Sequence, residues 1–250
     1  MKRSAHFPSG SEPISRSSLL YSRKYGVGGV LRGFKMQALS QQDKKHMEEV
    51  VVYHSAYGLR PAVIDFADKL RMAGHTVHTP DLYDGEVFTD RNDVVRKIQE
   101  LGFDKLLERA VAAVEKLPHT LVYAGFSNGG ACAELLAATR PGARGAILMH
   151  APLMVRELGW KVWPSNVHVQ VHFADKDPIR NQAVVDALGA KVRQSGSSFE
   201  QFDYDAPGHL FADPNLPAYD ANAAELMTTR VLAFLGGIGS LVADKSTRES

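Results

Sequence analysis

The sequence predicts an α/β protein in which helices cover both faces of a mostly parallel β-sheet. The first observation behind this prediction is an alternation, from residue 48 onward, of short β-rich runs with longer segments of helical spacing. The second is size, since 250 residues with 44% hydrophobic content suffice for one domain with a sizeable core.

Six runs have strand character, and each one ends in a turn. They cover residues 49–54, 76–79, 120–124, 146–150, 167–174 and 199–204. The segments with apolar residues at helical spacing cover about 61–74, 91–117, 128–139 and 219–235. Pro61 suits the first position of a helix, and Gly74 suits its end. Gly102 is expected to break the second segment into two helices.

Charge divides the chain into a basic leader and an acidic body. Residues 1–46 carry nine Lys or Arg and two acidic residues, a formal charge of +7, which leaves −6 on the rest of a chain whose total is +1. We predict a leader at 1–46 that is disordered or a non-native extension, an α/β domain at 47–238, and a disordered tail at 239–250. The leader is also Arg- and Ser-rich and poor in acids, as mitochondrial transit peptides are, so organellar targeting stays open.

Composition argues against several classes of function. The chain has one cysteine, Cys132, so it can form neither an internal disulfide nor a cysteine-based zinc site, and a reduced, cytoplasmic location is expected. It has no apolar run of about 18 residues, and its charges nearly balance, so we expect no membrane and no nucleic-acid partner. His168 and His172 lie about 13 Å apart if they share a strand, too far to hold one metal ion. We expect no metal and no cofactor, and the oligomeric state stays open.

A strand–turn–helix motif follows the third strand. The turn contains Gly125-Phe126-Ser127-Asn128-Gly129, and Gly-x-Ser-x-Gly in this place is typical of the nucleophile elbow of the α/β-hydrolase fold. Small residues on either side of the serine let neighbouring backbone pass, and the helix N-terminus behind it favours a developing oxyanion. A phosphate-binding glycine turn is the rival, but the motif lacks the second glycine of that fingerprint. The motif predicts Ser127 as a nucleophile.

A serine nucleophile of this kind is followed in the chain by an acid and then by a histidine. His209 lies in a loop after the sixth strand and is the predicted general base. Two carboxylates follow the fifth strand, Asp175 and Asp177. Asp177 is favoured because it lies farther from the strand, where a loop can bring its carboxylate beneath the imidazole. Asp175 remains the alternative, with the capping of a turn as its other role.

An oxyanion hole needs two backbone N–H donors. One should come from Asn128, directly after the nucleophile, and the other from the loop after the first strand, near Ala56. Four more side chains end strands or open loops at the same edge of the sheet, and they are candidates for the substrate pocket or, equally, for packing. They are His54, Tyr57, Tyr83 and His150.

Four phrases of the sequence resemble the dienelactone hydrolase family. They are Tyr53-His54-Ser55-Ala56-Tyr57-Gly58-Leu59, Thr79-Pro80-Asp81-Leu82-Tyr83-Asp84-Gly85, Gly125-Phe126-Ser127-Asn128-Gly129-Gly130 and Gly208-His209-Leu210-Phe211. The similarity covers about residues 48–236. It implies a compact single-domain hydrolase with no large cap, which acts on small esters or lactones without a cofactor.

Two positions depart from the family's pattern. The archetype has a Cys nucleophile that pairs at rest with a Glu, whereas this sequence has Ser127 and Ser55 at the matching positions. The archetype also holds its substrate's carboxylate with an Arg, where this sequence has Asp213. Dienelactone itself is therefore not the expected substrate, and neutral esters or lactones are.

The residues and the resemblance together predict a serine hydrolase that cleaves small carboxylic esters or lactones through an acyl-enzyme on Ser127. Thioester hydrolysis or acyl transfer is an alternative, because the same acyl-enzyme permits both. A catalytically silent binding protein on the same fold is the alternative from a different class. The one expected partner is the small-molecule ester or lactone.

Overall fold

A computed structural model describes residues 47–154 and 162–246, with side chains described as far as Ile238. The predicted leader at 1–46 lies outside the described residues, as do the last four residues of the predicted tail. Within the described part, strands and helices alternate along the chain. This alternation confirms the predicted α/β class.

Six strands form one parallel sheet. They are β1 (Glu49–Tyr53), β2 (Thr76–His78), β3 (Val122–Phe126), β4 (Gly145–Met149), β5 (His168–Ala174) and β6 (Phe199–Tyr204). Their order across the sheet is β2-β1-β3-β4-β5-β6, and every neighbouring pair is parallel. In the middle of the sheet, Val122 of β3 pairs with Val50 of β1 on one side and with Gly145 of β4 on the other.

Six helices connect or follow these strands. They are α1 (Pro61–Met72), α2 (Arg91–Leu101), α3 (Phe103–Ala112), α4 (Asn128–Thr139), α5 (Gln182–Gln194) and α6 (Ala221–Ser246). The predicted break at Gly102 is confirmed, and this glycine separates α2 from α3 with a positive φ of 73° that other residues rarely adopt. None of the described helices is long and apolar enough to cross a membrane.

Two helical features differ from the prediction. Helix α5 was not predicted, although Val184, Leu188 and Val192 recur at helical spacing and are buried in the structure. Helix α6 continues to Ser246, beyond its predicted end near Leu235, so the backbone of residues 239–246 is helical rather than part of an irregular tail. Gly236 and Gly237 lie within this helix, which tolerates glycine at a cost of about 1 kcal/mol each.

Each face of the sheet has its own apolar core, because alternate residues of a strand point to opposite faces. On one face, Val51 and Tyr53 of β1 are buried with side chains of α3, α4 and α5. On the other face, Val50 and Val52 of the same strand are buried with side chains of α1 and α6. The sheet is therefore covered by helices on both sides, which confirms the predicted architecture.

The order of the strands determines where a site can form. From β1 the chain continues to β2 on one side, whereas β3 pairs with β1 on its other side. Such a reversal leaves a crevice at the carboxyl ends of the strands, which is where ligands bind in open α/β sheets. Ala56 follows β1 and Ser127 follows β3, so both lie at this crevice. No cap domain covers it within residues 47–154 and 162–246.

Candidate active site

The turn between β3 and α4 leaves no room for a side chain at two of its positions. A Cβ atom added to Gly125 would lie 2.1 Å from the carbonyl oxygen of Gly129, and one added to Gly129 would lie 2.4 Å from the carbonyl oxygen of His54. Both distances are far shorter than a van der Waals contact. Glycine is therefore required at both positions of the Gly-x-Ser-x-Gly motif, because the first turn of helix α4 passes close to the backbone of β3 at Gly125 and to the end of β1 at Gly129.

Ser127 lies at the top of this turn in a strained conformation. Its φ of 51° and ψ of −121° are unusual for a residue with a side chain. Its N–H donates a hydrogen bond of 2.8 Å to the carbonyl oxygen of Met149, which fixes the turn to the end of β4. Strain of this kind persists where the surrounding structure holds it, often at functional sites.

Ser127, His209 and Asp177 form a continuous chain of contacts, which we refer to as the triad. The Ser127 Oγ lies 3.0 Å from His209 Nε2. On the other side of the ring, His209 Nδ1 lies 2.9 Å from Asp177 Oδ2 and 3.1 Å from Oδ1. The Asp177 side chain is fully buried, whereas that of His209 is 24% exposed. The structure thus brings together three residues from the loops after three different strands.

The structure distinguishes the two candidate acids. Asp177 is buried against His209, whereas Asp175 is exposed and hydrogen-bonds through its backbone N–H to Tyr204. Burial raises the pKa of Asp177, but the neighbouring His150 and His209 rings and the Ile179 N–H outweigh this effect and hold the pKa well below its usual range. Asp177 is therefore an ionised carboxylate in contact with an imidazole.

The two predicted oxyanion donors are the backbone N–H groups of Ala56 and Asn128. The hydrogen bonds that shape the loop after β1 come from Tyr57 N–H, which donates to Ser55 Oγ, and from Gly58 N–H, which donates to Ser55 O. These local bonds do not use the N–H of Ala56. Asn128 begins helix α4, where the first N–H groups have no partner within the helix. Asn128 thus lies at the start of α4 and Ala56 in the loop after β1, both at the crevice.

Of the four candidate pocket residues, His54 is held by backbone on both sides of its ring. Its Nδ1–H donates to Ser55 O at 2.7 Å, and its Nε2 accepts from the Leu82 N–H at 3.0 Å. Burial lowers the pKa of His54, in keeping with this neutral form. His54 therefore packs and joins the loop after β1 to the loop after β2, and it does not line a pocket.

Tyr83 and His150 are also packed inside the protein, and Tyr57 is not. Tyr83 is 1% exposed, its ring meets the edge of the His54 ring at 4.9 Å, and burial raises its pKa to about 12. His150 is completely buried against the triad. Tyr57 is half-buried beneath the guanidinium of Arg60. Packing is thus the role that the structure supports for three of the four residues, and only Tyr57 remains placed to meet a substrate.

A buried ion pair, which the sequence did not reveal, joins two loops of the site. Arg60 Nε lies 3.1 Å from Asp213 Oδ2, and the two side chains are 6% and 11% exposed. Arg60 also donates to the carbonyl oxygen of Phe88 at 3.1 Å. The pair therefore connects the loops after β1, β2 and β6. No local pattern pointed to it, since its partners lie 153 residues apart.

A cavity of about 170 Å³ lies between α1 and α6. Three residues of its wall, Ser55, Phe126 and Leu210, each adjoin a predicted site residue in sequence, whereas Ser127 and His209 do not line it. The cavity therefore lies beside the triad. Much of the remaining wall is apolar. It includes Ala62, Val63, Phe66, Ala212, Pro214 and Met227.

One cluster in the described residues has the composition of a metal site. His150, Asp177 and His209 offer ligand atoms within 4.8 Å of one another. Their contacts are already direct, at 2.9 Å and 3.4 Å from the two histidines to Asp177 Oδ2. The direct contacts of the triad and its neighbour account for this cluster.

The fold and this site define an α/β-hydrolase. Solved structures with the same fold include a dienelactone hydrolase-like promiscuous phosphotriesterase from metagenomic libraries, with a TM-score of 0.63 and 22% identity, covering 76% of this chain and 86% of that one. An esterase from Pyrobaculum calidifontis has a TM-score of 0.54 and 14% identity, covering 77% of both chains. At these identities the likeness concerns the fold. Comparison with curated proteins finds no match.

The sequence profile of the dienelactone hydrolase family matches residues 36–239. This match covers most of the chain, and it begins earlier than the similarity visible in the motifs. The chain therefore belongs to the dienelactone hydrolase family, and its enzyme class is that of the hydrolases. The predicted family and the predicted α/β-hydrolase fold are both confirmed.

Proposed function

We propose that this protein hydrolyses small, neutral carboxylic esters or lactones through an acyl-enzyme on Ser127. The observation that carries the proposal is the unbroken contact from Ser127 Oγ through the His209 ring to the buried Asp177, at 3.0 Å and 2.9 Å. A nucleophile, a base within hydrogen-bond reach and a group that orients the base are the parts that acyl transfer requires.

The first half of the reaction transfers the acyl group. Ser127 Oγ attacks the carbonyl carbon of the ester while His209 Nε2 takes the hydroxyl proton. The oxyanion that forms is stabilised by the N–H groups of Ala56 and Asn128. The intermediate then breaks its bond to the leaving oxygen, which receives the proton from His209. Asp177 keeps the proton of His209 on Nδ1 and stabilises the imidazolium that forms in passing.

The second half regenerates the enzyme. His209 takes a proton from a water molecule, whose oxygen attacks the acyl carbon, and the ester bond to Ser127 then breaks. The acid leaves and the proton returns to Ser127. A serine is a weak nucleophile at its ordinary pKa, so it depends on this base, in contrast to the Cys of the family's archetype. Ser55 at the position of the archetype's Glu is consistent with a nucleophile that needs no carboxylate beside it at rest.

The charges around the site favour a neutral substrate. Recognition of a carboxylate needs a fixed cation, usually an arginine. Arg60 is paired with Asp213, and Arg180 lies 2.9 Å from Asp203. Among the described residues, the two arginines considered for this role, Arg60 and Arg180, are therefore each neutralised by an acidic partner.

The size of the adjoining cavity favours a small substrate. Its volume of about 170 Å³ is below the range of roughly 300–1,000 Å³ that pockets for drug-sized ligands occupy. We assign this cavity, with its apolar wall, to the acyl part of the substrate. A chain of a few carbons suits such a space, whereas a long fatty acyl chain does not.

The test compares variants on short activated aryl esters. Ser127→Ala should lower kcat by several orders of magnitude, on the order of 10⁶-fold as for the nucleophile of subtilisin, with an unchanged melting temperature. Ser195→Ala, at the end of α5 away from the site, is the matched control and should keep full activity. Retention of more than about a tenth of the activity by Ser127→Ala would move the nucleophile elsewhere.

The same assay defines the substrate class. A methyl ester and its free acid, matched in all other respects, should differ in kcat/KM in favour of the neutral compound. An advantage of about tenfold or more for the acid, weakening with salt, would show that a cation outside these two pairs binds the carboxylate. Preference for a thioester over the matched oxygen ester would instead support the thioesterase alternative.

A further inference from the structure

His150 occupies a constrained position directly after β4. Its side chain is completely buried, and its φ of 55° lies in the left-handed region that side chains rarely adopt. Its N–H donates to the carbonyl oxygen of His172 at 2.8 Å, and the preceding residue, Met149, accepts the N–H of Ser127. The backbone therefore holds the His150 ring in place from both neighbouring strands.

The ring of His150 contacts the triad at Asp177 and His209. Its Nδ1 lies 3.4 Å from Asp177 Oδ2, and its ring lies edge-on to those of His209 and Phe211, with centroids 5.6 Å and 4.6 Å away. Neither ring nitrogen of His150 has a hydrogen-bond partner with good geometry in the described part of the chain. A histidine without such partners needs an explanation, because burying a polar group costs free energy.

The surroundings select one neutral form of this imidazole. Burial lowers the pKa of His150 and so favours the uncharged ring, although the nearby Asp177 carboxylate acts in the opposite direction. A neutral ring carries one N–H. Placed on Nδ1, this N–H faces the carboxylate, whereas on Nε2 it would leave a lone pair pointing at a negative charge. The Nδ1–H form is therefore the stable one beside Asp177.

We infer that His150 is a positioning residue, whose Nδ1–H directs Oδ2 of Asp177 toward His209. This role rests on the proposed function of the triad. Within the part of the chain that the structure describes, the carboxylate receives one hydrogen bond apart from that of His209, from the Ile179 N–H to Oδ1 at 3.1 Å. The His150 N–H is a donor on the second oxygen. At 3.4 Å its contact is longer than an ordinary hydrogen bond, and catalytic contacts of this length often tighten when substrate is bound.

The chain offers a sharp set of variants at this position. In His150→Asn the amide nitrogen can occupy the place of Nδ1, and asparagine tolerates a positive φ. In His150→Gln the amide nitrogen reaches the place of Nε2 instead. His150→Leu keeps bulk without a donor, and His150→Gly relaxes the backbone without a donor. Together they separate the N–H on Asp177 from packing and from backbone strain.

We expect His150→Leu and His150→Gln to lower kcat for an activated ester by about 10- to 100-fold, as the loss of a hydrogen bond to a charged group predicts, with KM changed less than about twofold. His150→Asn should restore kcat to within about threefold of the wild type. Equal kcat values for the Asn, Gly and Leu variants, or a kcat unchanged in His150→Leu at full folding, would overturn the inference.

Proton NMR without substrate separates this inference from the proposed function. The low-field ring proton shared by His209 Nδ1 and Asp177 should be sharp in the wild type and in His150→Asn, and broadened by exchange in His150→Leu. This readout also works for a variant of lower stability, provided that it is folded at the temperature used. An inactive wild type with the expected spectra would refute the ester hydrolase alone, whereas identical spectra for all folded variants would refute the role of His150.

Discussion

The turn that carries Ser127 and the loops that surround it form one site, but their geometry has different origins. The turn is encoded in a short stretch of sequence, because glycine is the only residue type that the backbone contacts at positions 125 and 129 allow. The loops are determined by partners far away in the chain, such as His54 with Leu82 and Arg60 with Asp213, which lie 28 and 153 residues apart. The turn can therefore be recognised in a sequence, whereas the arrangement of the loops cannot.

The two carboxylates after β5 provide the largest test of this difference. Asp177 reaches His209 from 32 residues away, while the Asp175 side chain is exposed. Asp177→Asn should lower kcat by about 10⁴-fold, as the loss of the orienting carboxylate does in the trypsin triad, because the amide no longer favours the correct tautomer. Asp175→Asn, the matched control two residues away, should keep most of the activity. Reversed results in the ester assay would assign the acid to Asp175.

Breaking the buried ion pair tests the loops without touching the turn. Asp213→Ala leaves the Arg60 guanidinium buried without its partner, which should lower the free energy of unfolding by about 3–5 kcal/mol. Arg60→Met combined with Asp213→Leu removes both charges and should recover most of that loss. Urea denaturation of the wild type and the two variants measures both effects.

The wild type and the two variants also show whether the pair is structural or functional. If the single and the double variant lose the same stability, the charge of Arg60 is not the cause. If Asp213→Ala selectively raises kcat/KM for a free-acid substrate, the freed Arg60 has become a carboxylate ligand. That result would show that the pair sets the preference for neutral substrates.

A smaller effect is expected beneath the loops, at His172. Both ring nitrogens of this buried histidine are hydrogen-bonded, at 2.8 Å to Tyr204 and to Gln170, and burial lowers its pKa from 6.5 to about 3. The unfolded chain protonates His172 at a higher pH than the folded protein does. The contribution of His172 to the free energy of unfolding is therefore fully present above about pH 6.5 and is lost as the pH falls toward about 3. The loss is about 1 kcal/mol for each pH unit.

The control is the same titration on His172→Gln. Between pH 6 and pH 4, the free energy of unfolding of this variant should fall less steeply with decreasing pH. The difference in slope should correspond to about one proton, because the titrating histidine is missing. Other buried histidines whose pKa values are lowered, His54, His75 and His150, keep part of the dependence. Identical slopes for the variant and the wild type, measured by urea unfolding, would mean that His172 is protonated in the folded state.

The distinction between short-range patterns and long-range contacts also separates the features that the sequence predicts from those that it does not. The six strands, the break at Gly102 and helix α4 follow from short-range patterns, and the structure has them close to the predicted residues. The family and the fold were likewise predicted from the motifs. Helix α5 was not predicted, although the helical spacing of its apolar residues is present in the sequence.

Side-chain roles at the strand ends were harder to predict. Three of the candidate pocket residues lie at the edge of the sheet where a pocket is expected, but each is buried by neighbours from distant parts of the chain. They are His54, Tyr83 and His150. Whether such a residue faces a substrate or the core depends on these tertiary contacts, which no local pattern encodes. The pairing of Arg60 with Asp213 belongs to the same class. Its two partners lie 153 residues apart in the chain.

The proposed mechanism depends on covalent acylation of Ser127. It is tested by identifying the residue that forms a covalent bond with an active-site label. The wild type and Ser127→Ala are treated with a fluorophosphonate and digested, and the labelled residue is identified by mass spectrometry. We expect one adduct on Ser127 and none on the nearby Cys132, whose thiol is buried with a pKa raised to about 12. A label on Cys132 or Ser55, or equal labelling of Ser127→Ala, would contradict it.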